Sequence, residues 1–243
     1  MGFLELFEEK KPIIGMIHLG GGGGEGFRAR ARLEIGQMYE CGLDAVLVED
    51  YFGTAEDVAW TLAYLQKNYP GKIYGVNLLG DFSGSYEAAR HYGAVFMQAD
   101  SICGHLQPQR DQEFARMVNA LRDGTVSVLG GVRFKYQPVL SGRSVEEDLR
   151  LGMERCDAIV VTGAGTGINT ELDKIKAFRQ VTGSFPLVVG AGLTAETVRE
   201  QLTYADGAIV GSWFKEEGKA VNPLDPQRVE RFMGEVRALR AGL

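Results

Sequence analysis

Short apolar runs rich in β-branched residues recur at similar intervals along the whole chain. The eight runs are PIIGMIHL, DAVLVED, KIYGVNLL, AVFMQAD, VSVLGGVRFK, DAIVVTG, PLVVGAG and DGAIVGS. Each has the length of a β-strand, and most are too continuously apolar for a strand with one face in water. The pattern therefore predicts eight buried β-strands.

The segments between these runs have the apolar spacing of amphipathic helices. In TAEDVAWTLAYLQKNY, for example, Val58, Leu62 and Leu65 lie on one side of a helix. Helix-start signals precede several such segments, among them Thr54, Thr194 and Asp225-Pro226. Strands that alternate with helices form parallel sheets covered by helices, and eight such pairs predict closure into an α/β barrel of the (β/α)₈ or TIM type.

The chain length agrees with one barrel. The 243 residues are close to the ~250 residues typical of this fold, and no linker-like stretch divides them, so we expect one domain over residues 1–243. The glycine-rich run GGGGGEG at residues 20–26 interrupts the regular pattern. We place it in the loop after the first strand and expect it to be mobile without a ligand.

Composition and charge narrow the class of protein. The formal net charge is −6 and no basic cluster is present, so we expect no nucleic-acid partner. Three widely spaced cysteines without a CxxC pair argue against a disulfide framework and against a zinc finger. The first residues lack the charge pattern of a signal peptide, and no run approaches the ~20 apolar residues of a membrane span. We expect a cytoplasmic protein without membrane insertion.

The seventh and eighth strands both end in glycine turns, Gly190-Ala191-Gly192 and Gly211-Ser212. Glycines let backbone N–H groups approach a ligand, and the helices that follow direct their positive ends to it. In TIM barrels these two loops frequently bind phosphate. The predicted phosphate-binding residues are Gly190, Ala191, Gly192, Gly211 and Ser212, with Gly163 of the TGAGTG loop, which we interpret as a mobile loop beside the substrate. The alternative is that the glycines only form tight turns.

Polar residues end other predicted strands, where barrel enzymes carry their active sites. Glu49 ends an apolar strand, and partial burial would raise its pKa toward the range of a general acid or base. Lys135, at the end of the fifth strand, is expected to stabilise negative charge, with Schiff-base formation as an alternative. Glu49 could instead cap a helix or pair with Lys135 or Arg133. The other catalytic candidates are His18, Asn77 and Asp100.

A metal site would have to combine His18 and His105 with Asp100 or Glu49. No HxH or HExxH spacing supports such a site. We therefore predict neither a metal nor a cofactor.

Longer motifs resemble a known family. The segments KPIIGMIHL, DAVLVEDYFG, YGVNLL, DAIVVTGAGTG, PLVVGAGLTAETV and YADGAIVGSWFKEEGKAVNPLDPQRVERF are similar to the BtpA/SgcQ family, which is named for a factor in photosystem I biogenesis. The resemblance covers nearly the whole chain and is strongest in the C-terminal third. It implies a TIM barrel related to the ribulose-phosphate-binding barrels, with a phosphate site, but no settled reaction.

The chain departs from the family pattern at residues 20–26, 80–82, 98–105 and 131–136. The phosphate end is kept and the opposite end differs, so the resemblance carries no catalytic role to Asp81, Asp100 or His105. The C-terminal pattern is also similar to tryptophan synthase α subunits, in which a strand-two Glu takes part in lyase chemistry. That similarity is an analogy for Glu49.

Together these features predict a lyase, aldolase or isomerase that binds a small phosphorylated metabolite at the C-terminal mouth of the barrel. One alternative is a non-catalytic assembly or biogenesis factor of the BtpA kind. A second alternative is a metal-dependent hydrolase of a nucleoside or sugar phosphate. The sequence leaves open the substrate, the direction of the reaction and whether the chain forms a homo-oligomer.

Overall fold

The structure is a computed structural model that describes residues 2–20, 22 and 24–243. Strands and helices alternate as β1 Ile13–Ile17, α1 Gly24–Glu40, β2 Ala45–Glu49, α2 Ala55–Asn68, β3 Ile73–Asn77, α3 Phe82–Tyr92, β4 Phe96–Cys103, α4 Pro108–Leu121, β5 Ser127–Val132, α5 Val145–Arg155, β6 Ala158–Thr162, α6 Leu172–Thr182, β7 Leu187–Gly190, α7 Val198–Tyr204, β8 Gly207–Val210 and α8 Pro226–Arg240. Short 3₁₀ helices occupy Phe3–Leu6, Ser212–Phe214 and Glu216–Gly218.

The strands form one closed parallel barrel in sequence order. Each strand pairs with the next, and β8 pairs with β1 to close the sheet. The predicted TIM-barrel fold is confirmed. Because all strands run the same way, their carboxyl ends meet at one mouth, where Glu49 of β2 is the register partner of Asn77 of β3.

Apolar side chains fill the inside of the barrel and the layer between the barrel and the helices. Phe3 of the N-terminal 3₁₀ helix packs edge-to-face at 5.4 Å from Phe7 and at 6.1 Å from Phe96, measured between ring centres. Phe96 begins β4, so these rings close the end of the barrel opposite the mouth.

Two of the predicted helix starts are confirmed. Thr54 Oγ1 accepts from the Asp57 N–H, and Asp57 in return accepts from the Thr54 N–H at 3.0 Å. Asp225 caps α8, and Pro226 is its first residue. Thr194 instead begins a turn, in which its hydroxyl accepts from the Glu196 N–H at 3.2 Å, and α7 starts later, at Val198.

The glycine-rich run lies only partly in a loop. Helix α1 begins at Gly24, so the prediction that residues 24–26 belong to the loop is wrong. Glu25 favours the helix there because its carboxylate lies in the first turn and pairs with Arg28 at 3.1 Å. Gly21 and Gly23 are outside the described residues, and the mobility of this run stays a prediction.

Two further features are the apolar character of the helices and the state of the cysteines. Within residues 2–20, 22 and 24–243, no helix combines the length and apolar character that crossing a bilayer requires. Cys41, Cys103 and Cys156 are all free thiols.

Candidate active site

A cavity of about 440 Å³, counting the part open to solvent, lies at the carboxyl ends of the strands. The predicted site residues that line it are His18, Glu49, Lys135, Gly190, Ala191, Gly211 and Ser212, together with Gln98, Thr162, Thr166 and Gly167. Asn77 is buried beside Glu49, and Asp100 lines a neighbouring cavity. Gly163 and Gly192 belong to the same loops but are outside this lining.

Glu49 is the last residue of β2, and its side chain points into the barrel with only 6% of the residue exposed. Asn77 Nδ2 donates to Glu49 Oε1 at 2.9 Å. Burial, with a smaller contribution from the nearby Asp100 carboxylate, raises the pKa of Glu49 to about 8. The Glu49 carboxyl group is therefore mostly protonated at neutral pH.

The predicted alternative, an ion pair between Glu49 and a cation, is wrong. Among the described residues Glu49 has no ion-pair partner, and Arg133 instead pairs with Asp148 at 2.8 Å. Arg133 has φ 51°, which turns the chain away from β5 and directs its guanidinium outward to α5. Glu49 thus keeps its proton because burial outweighs the opposing effects of the Lys135 charge and the Asn77 hydrogen bond.

Two amide side chains connect the strand ends next to Glu49. Asn77 Nδ2 also donates to Asp100 Oδ1 at 3.0 Å, and Gln98 Nε2 donates to the same oxygen at 3.1 Å. One amide thus holds two carboxyl groups in fixed positions. Asn77 Oδ1 is buried and has no hydrogen-bond partner in the described chain.

Lys135 reaches the cavity from a loop, so the prediction that it ends the fifth strand is wrong. Strand β5 ends at Val132, and the left-handed conformations of Arg133 and Tyr136 shape the turn that follows. The Lys135 N–H donates to Thr162 Oγ1 at 3.0 Å, and its Nζ donates to Thr166 Oγ1 at 3.1 Å. An ammonium group has three hydrogens, so Nζ can also donate to a ligand.

His18 directly follows β1 and is 5% exposed. Burial, with smaller effects from Lys215 and Lys135, holds the pKa of His18 well below its ordinary value. The imidazole is therefore neutral, and its buried Nδ1 has no hydrogen-bond partner among the described residues. A neutral imidazole in this position can exchange hydrogen bonds with a ligand but adds no charge.

The glycines of the predicted phosphate site serve close packing as well. A Cβ atom on Gly211 would lie 2.6 Å from His18 Cε1. A Cβ atom on Gly192 would lie 2.1 Å from the Ile168 oxygen, and one on Gly163 would lie 2.7 Å from the Asn169 oxygen. The backbone at Gly163 and Gly192 thus packs too closely against residues 168 and 169 for any side chain, and phosphate binding at both glycines stays a prediction.

Unbonded donors remain at the ends of β7 and β8. In the described part of the chain, no acceptor bonds the N–H groups of Gly192 and Ser212. The helices that follow these strands differ from the prediction. After β8, Ser212 begins only a single 3₁₀ turn, and after β7, helix α7 begins only at Val198. Of these two residues only Ser212 lines the cavity, and a free backbone donor at a cavity wall is suited to an anion.

The loop between β6 and α6 covers this end of the cavity. The Thr166 N–H donates to the Tyr136 hydroxyl at 2.8 Å, and Thr166 Oγ1 is 3.5 Å from the Tyr51 hydroxyl. Thr166 thus contacts tyrosines of the loops that follow β2 and β5, and the mobility of the TGAGTG loop stays a prediction. Thr166 is not among the predicted site residues, although a Thr between two glycines after a strand end is a signal for a ligand-side hydroxyl.

A metal site of the kind considered from the sequence would bring His18 and His105 together with Asp100 or Glu49. His105 lines the neighbouring cavity and not the cavity that holds His18. The described residues contain no group of three or more His, Cys, Asp and Glu side chains placed to hold a metal ion.

Solved structures with this fold include enzymes of phosphorylated compounds. Phosphoribosyl anthranilate isomerase from Thermococcus kodakaraensis superimposes with a TM-score of 0.60 at 20% identity, over 93% of this chain and 99% of that chain. Thiamine phosphate pyrophosphorylase from Pyrococcus furiosus superimposes with a TM-score of 0.56 at 14% identity, over 94% and 96% of the two chains. At these identities the likeness shows the shared fold alone.

The sequence relatives extend over nearly the whole chain. A protein of Pyrococcus abyssi (strain GE5 / Orsay) is 29% identical over 95% of this chain and 97% of its own length. The photosystem I biogenesis protein BtpA of Synechocystis sp. is 24% identical over 100% of this chain and 93% of its own length. SgcQ of Escherichia coli (strain K12) is 24% identical, with 97% and 98% covered.

The BtpA family model matches residues 9–238. The resemblance predicted from the sequence motifs is thereby confirmed, and the chain belongs to the BtpA family.

Proposed function

We propose that this protein is an enzyme of the lyase, aldolase or isomerase type that moves a proton on a small phosphorylated metabolite. The observation that carries the proposal is a buried Glu49 with a pKa of about 8 in the same cavity as the turns after β7 and β8. A group that is protonated near neutral pH can both donate and accept a proton during one reaction.

The other residues of the cavity fit roles around this proton transfer. The phosphate would bind the backbone at Gly190, Ala191, Gly211 and Ser212, next to unbonded N–H donors. Lys135 Nζ would stabilise negative charge that develops on the substrate. Neutral His18 would orient the substrate through a hydrogen bond, and Asn77 and Asp100 hold Glu49 in place.

The comparisons support the phosphate part of the proposal. The two solved structures with similar folds are named for a phosphoribosyl compound and for a thiamine phosphate. The loops after the seventh and eighth strands are the frequent phosphate sites of such barrels. The proton-transfer part of the proposal is supported by Glu49 and the residues around it, and not by these relatives.

Proton exchange with solvent tests the proposal without knowledge of the product. A panel of sugar phosphates and phosphorylated keto acids is incubated with the protein in D₂O, and ¹H NMR detects loss of a carbon-bound proton. We expect one compound to exchange, and Glu49→Gln to slow its exchange by at least ~100-fold. Glu87→Gln, at an exposed position of α3, is the matched control and should exchange at the rate of the unmodified protein.

Two results would contradict the proposal. The first is exchange by Glu49→Gln at the unmodified rate. The second is a melting temperature that inorganic phosphate and every ester of the panel leave unchanged, since a ligand that binds the folded state must raise it.

A second candidate function is an assembly factor, as the name of the Synechocystis relative suggests. The observation in its favour is a rim of exposed apolar side chains on the loops around the mouth, formed by Tyr51, Phe52, Leu79, Tyr136, Val139, Leu140 and Ile168. Exposed apolar patches often contact other proteins. Partner binding through this rim should survive Glu49→Gln, whereas catalysis should not.

The location and assembly of the protein remain proposals. The free thiols of Cys41, Cys103 and Cys156 fit a reducing compartment such as the cytoplasm. Homo-oligomer formation stays a prediction. The metal-dependent hydrolase gains no support from the ligand groups of the described residues.

A further inference from the structure

A second cavity lies beside the mouth, between the loops that follow β3 and β4. Its volume is about 770 Å³, counting the part open to solvent. Gln98 lines both cavities, so the two meet at this side chain. Strand β4 lies across the closed barrel from β8, and the second cavity is therefore on the opposite side of the mouth from Ser212.

One wall of the second cavity is apolar and largely aromatic. It is formed by Leu78, Phe82, Leu106 and Phe114. Phe114 packs edge-to-face against Phe82 at 5.9 Å and against His105 at 5.4 Å between ring centres. Such a wall suits the flat face of a ring more than it suits a flexible chain.

The rest of the lining is polar and includes hydrogen-bond acceptors. Ser101 Oγ and His105 Nδ1 are buried there, and neither has a hydrogen-bond partner among the described residues. The carboxylates of Asp81 and Asp100 also line the cavity. Unpaired buried polar atoms are costly, so a ligand that supplies hydrogen-bond donors would remove that cost.

The charge of the lining limits the ligand further. It includes two carboxylates and neither Lys nor Arg. Burial lowers the pKa of His105, so its imidazole is neutral. A second phosphate or a carboxylate in this cavity would meet repulsion and find no cation.

We propose that the second cavity binds the part of the substrate that is remote from its phosphate, and that this part is an uncharged or cationic ring with hydroxyl or amino donors. The inference rests on the proposed function and narrows it, because the substrate is then a monophosphate that extends across the mouth. Bisphosphates and phosphorylated dicarboxylates are excluded.

The three histidines make the test direct, because each lies in a different place. His18 lines the mouth cavity, His105 lines the second cavity, and His91 is exposed on α3. The protein labelled with ¹⁵N-histidine is titrated separately with inorganic phosphate, glucosamine, adenosine, glucosamine 6-phosphate, adenosine 5′-monophosphate and fructose 1,6-bisphosphate, and the imidazole resonances are followed by NMR.

We expect phosphate to shift His18 and glucosamine or adenosine to shift His105, while His91 stays constant as the internal control. At least one of the two monophosphates should shift both His18 and His105 and bind about tenfold more tightly than phosphate or its parent ring compound, because one ligand then joins two sites. The bisphosphate should leave His105 unshifted.

A variant separates the second cavity from the mouth. Ser101→Ala removes one acceptor with little change in volume and should weaken the tighter-binding monophosphate about three- to tenfold, with phosphate affinity unchanged. Ser184→Ala, at an exposed position before β7, is the matched control and should bind every probe normally.

Each contrary result has a separate meaning. If phosphate shifts His18 but every ring compound leaves His105 unshifted, the inference is wrong and the proposed function stands. If the bisphosphate shifts His105 as strongly as the monophosphates do, the charge argument is wrong. If phosphate leaves His18 unshifted, the proposed phosphate site is wrong. Ring binding in the second cavity is then judged from the His105 shift with glucosamine and adenosine alone, and the absence of a shift would contradict it.

Discussion

At the scale of single residues, the protonation of Glu49 follows from its position. The side chain is enclosed by the strands, and its hydrogen bond comes from the uncharged Asn77 amide. Burial raises its pKa, with a smaller contribution from the Asp100 carboxylate. The protonated carboxyl group is thus held inside the barrel, away from solvent. This arrangement makes the stability of the protein depend on pH in a defined direction.

Replacement of Glu49 by Gln should stabilise the protein at high pH and not at low pH. The folded pKa of about 8 is above the ordinary 4.5, so the folded state binds more protons between these values and wild-type stability falls as pH rises through that window. Gln cannot ionise. The quantity to compare is the melting temperature of Glu49→Gln minus that of the wild type. We expect this difference to be at least ~3 °C higher at pH 9 than at pH 5.

Thermal unfolding at both pH values measures this difference. Glu87→Gln, which changes an exposed carboxylate, should show the same difference from wild type at both. An equal effect of Glu49→Gln at pH 5 and pH 9 would mean that Glu49 is ionised throughout.

Gly211 shows how one residue can serve two purposes. Its backbone borders the cavity, yet a Cβ atom there would clash first with the His18 ring. A larger side chain at 211 would therefore displace His18 before it touched a ligand. For this reason Ser212→Ala, which removes only a hydroxyl, is the cleaner probe of phosphate binding.

At the scale of elements, the β6–α6 loop closes the phosphate side of the mouth. Its backbone packs against Gly192, where a Cβ atom would overlap Ile168. Its Thr166 N–H is held by Tyr136, which is 70% exposed. A loop held by an exposed hydroxyl can open at a modest cost, since a single neutral hydrogen bond stabilises by only about 1 kcal/mol.

Tyr136→Phe should therefore loosen this loop without unfolding the barrel. Loss of the hydroxyl leaves the Thr166 N–H without its acceptor, and amide hydrogen exchange at Thr166 should become about two- to tenfold faster. Tyr204→Phe, at a tyrosine of α7 whose hydroxyl makes no side-chain bond in the described structure, is the control. Unchanged exchange at Thr166 would show that other contacts hold the loop.

At the scale of the whole molecule, a buried ion pair connects α1 to the segment after β8, at the seam where the barrel closes. Lys215, which follows β8, is 0% exposed, and its Nζ is 2.5 Å from Glu34 Oε2 on α1. Arg30 Nε also bonds Glu34, at 2.8 Å, and its Nη1 donates to the Val221 oxygen at 2.8 Å. The segment after β8 is thereby fixed against α1.

The two sides of this pair should not be equivalent. Glu34→Gln leaves the Lys215 ammonium buried without a counter-ion and should lower the free energy of unfolding by about 3–5 kcal/mol. Lys215→Met should cost less, because Glu34 keeps Arg30. The double variant should be more stable than Glu34→Gln alone.

Urea unfolding of the three variants measures these free energies. Glu217→Gln, which alters an exposed ion pair with Lys219, is the control and should leave the free energy of unfolding unchanged within measurement error. Strict additivity of the two single changes would contradict a direct interaction between Glu34 and Lys215.

Much of the fold could be predicted from local pattern, because strand and helix periodicity and helix caps are properties of neighbouring residues. The runs around Ile14, Leu47 and Val188 are buried strands as predicted, and Thr54 and Asp225 cap the helices they precede. Lys135 was misplaced because left-handed turns at Arg133 and Tyr136, both unfavourable for non-glycine residues, leave no local signal.

The sequence alone thus determined which segments form the barrel. Because parallel strands place their carboxyl ends at one mouth, it also determined that Glu49 lies at the same mouth as the ends of β7 and β8. Only the tertiary structure decided what each group contacts. Glu49 accepts a hydrogen bond from Asn77 and has no ion-pair partner in the described part of the chain, Gly192 packs against the β6–α6 loop, and a second cavity opens at Ser101 and His105. The pKa of a carboxyl group and the shape of a cavity depend on atoms far apart in the chain. Local sequence patterns carry no information on those distances, which arise only when the barrel closes.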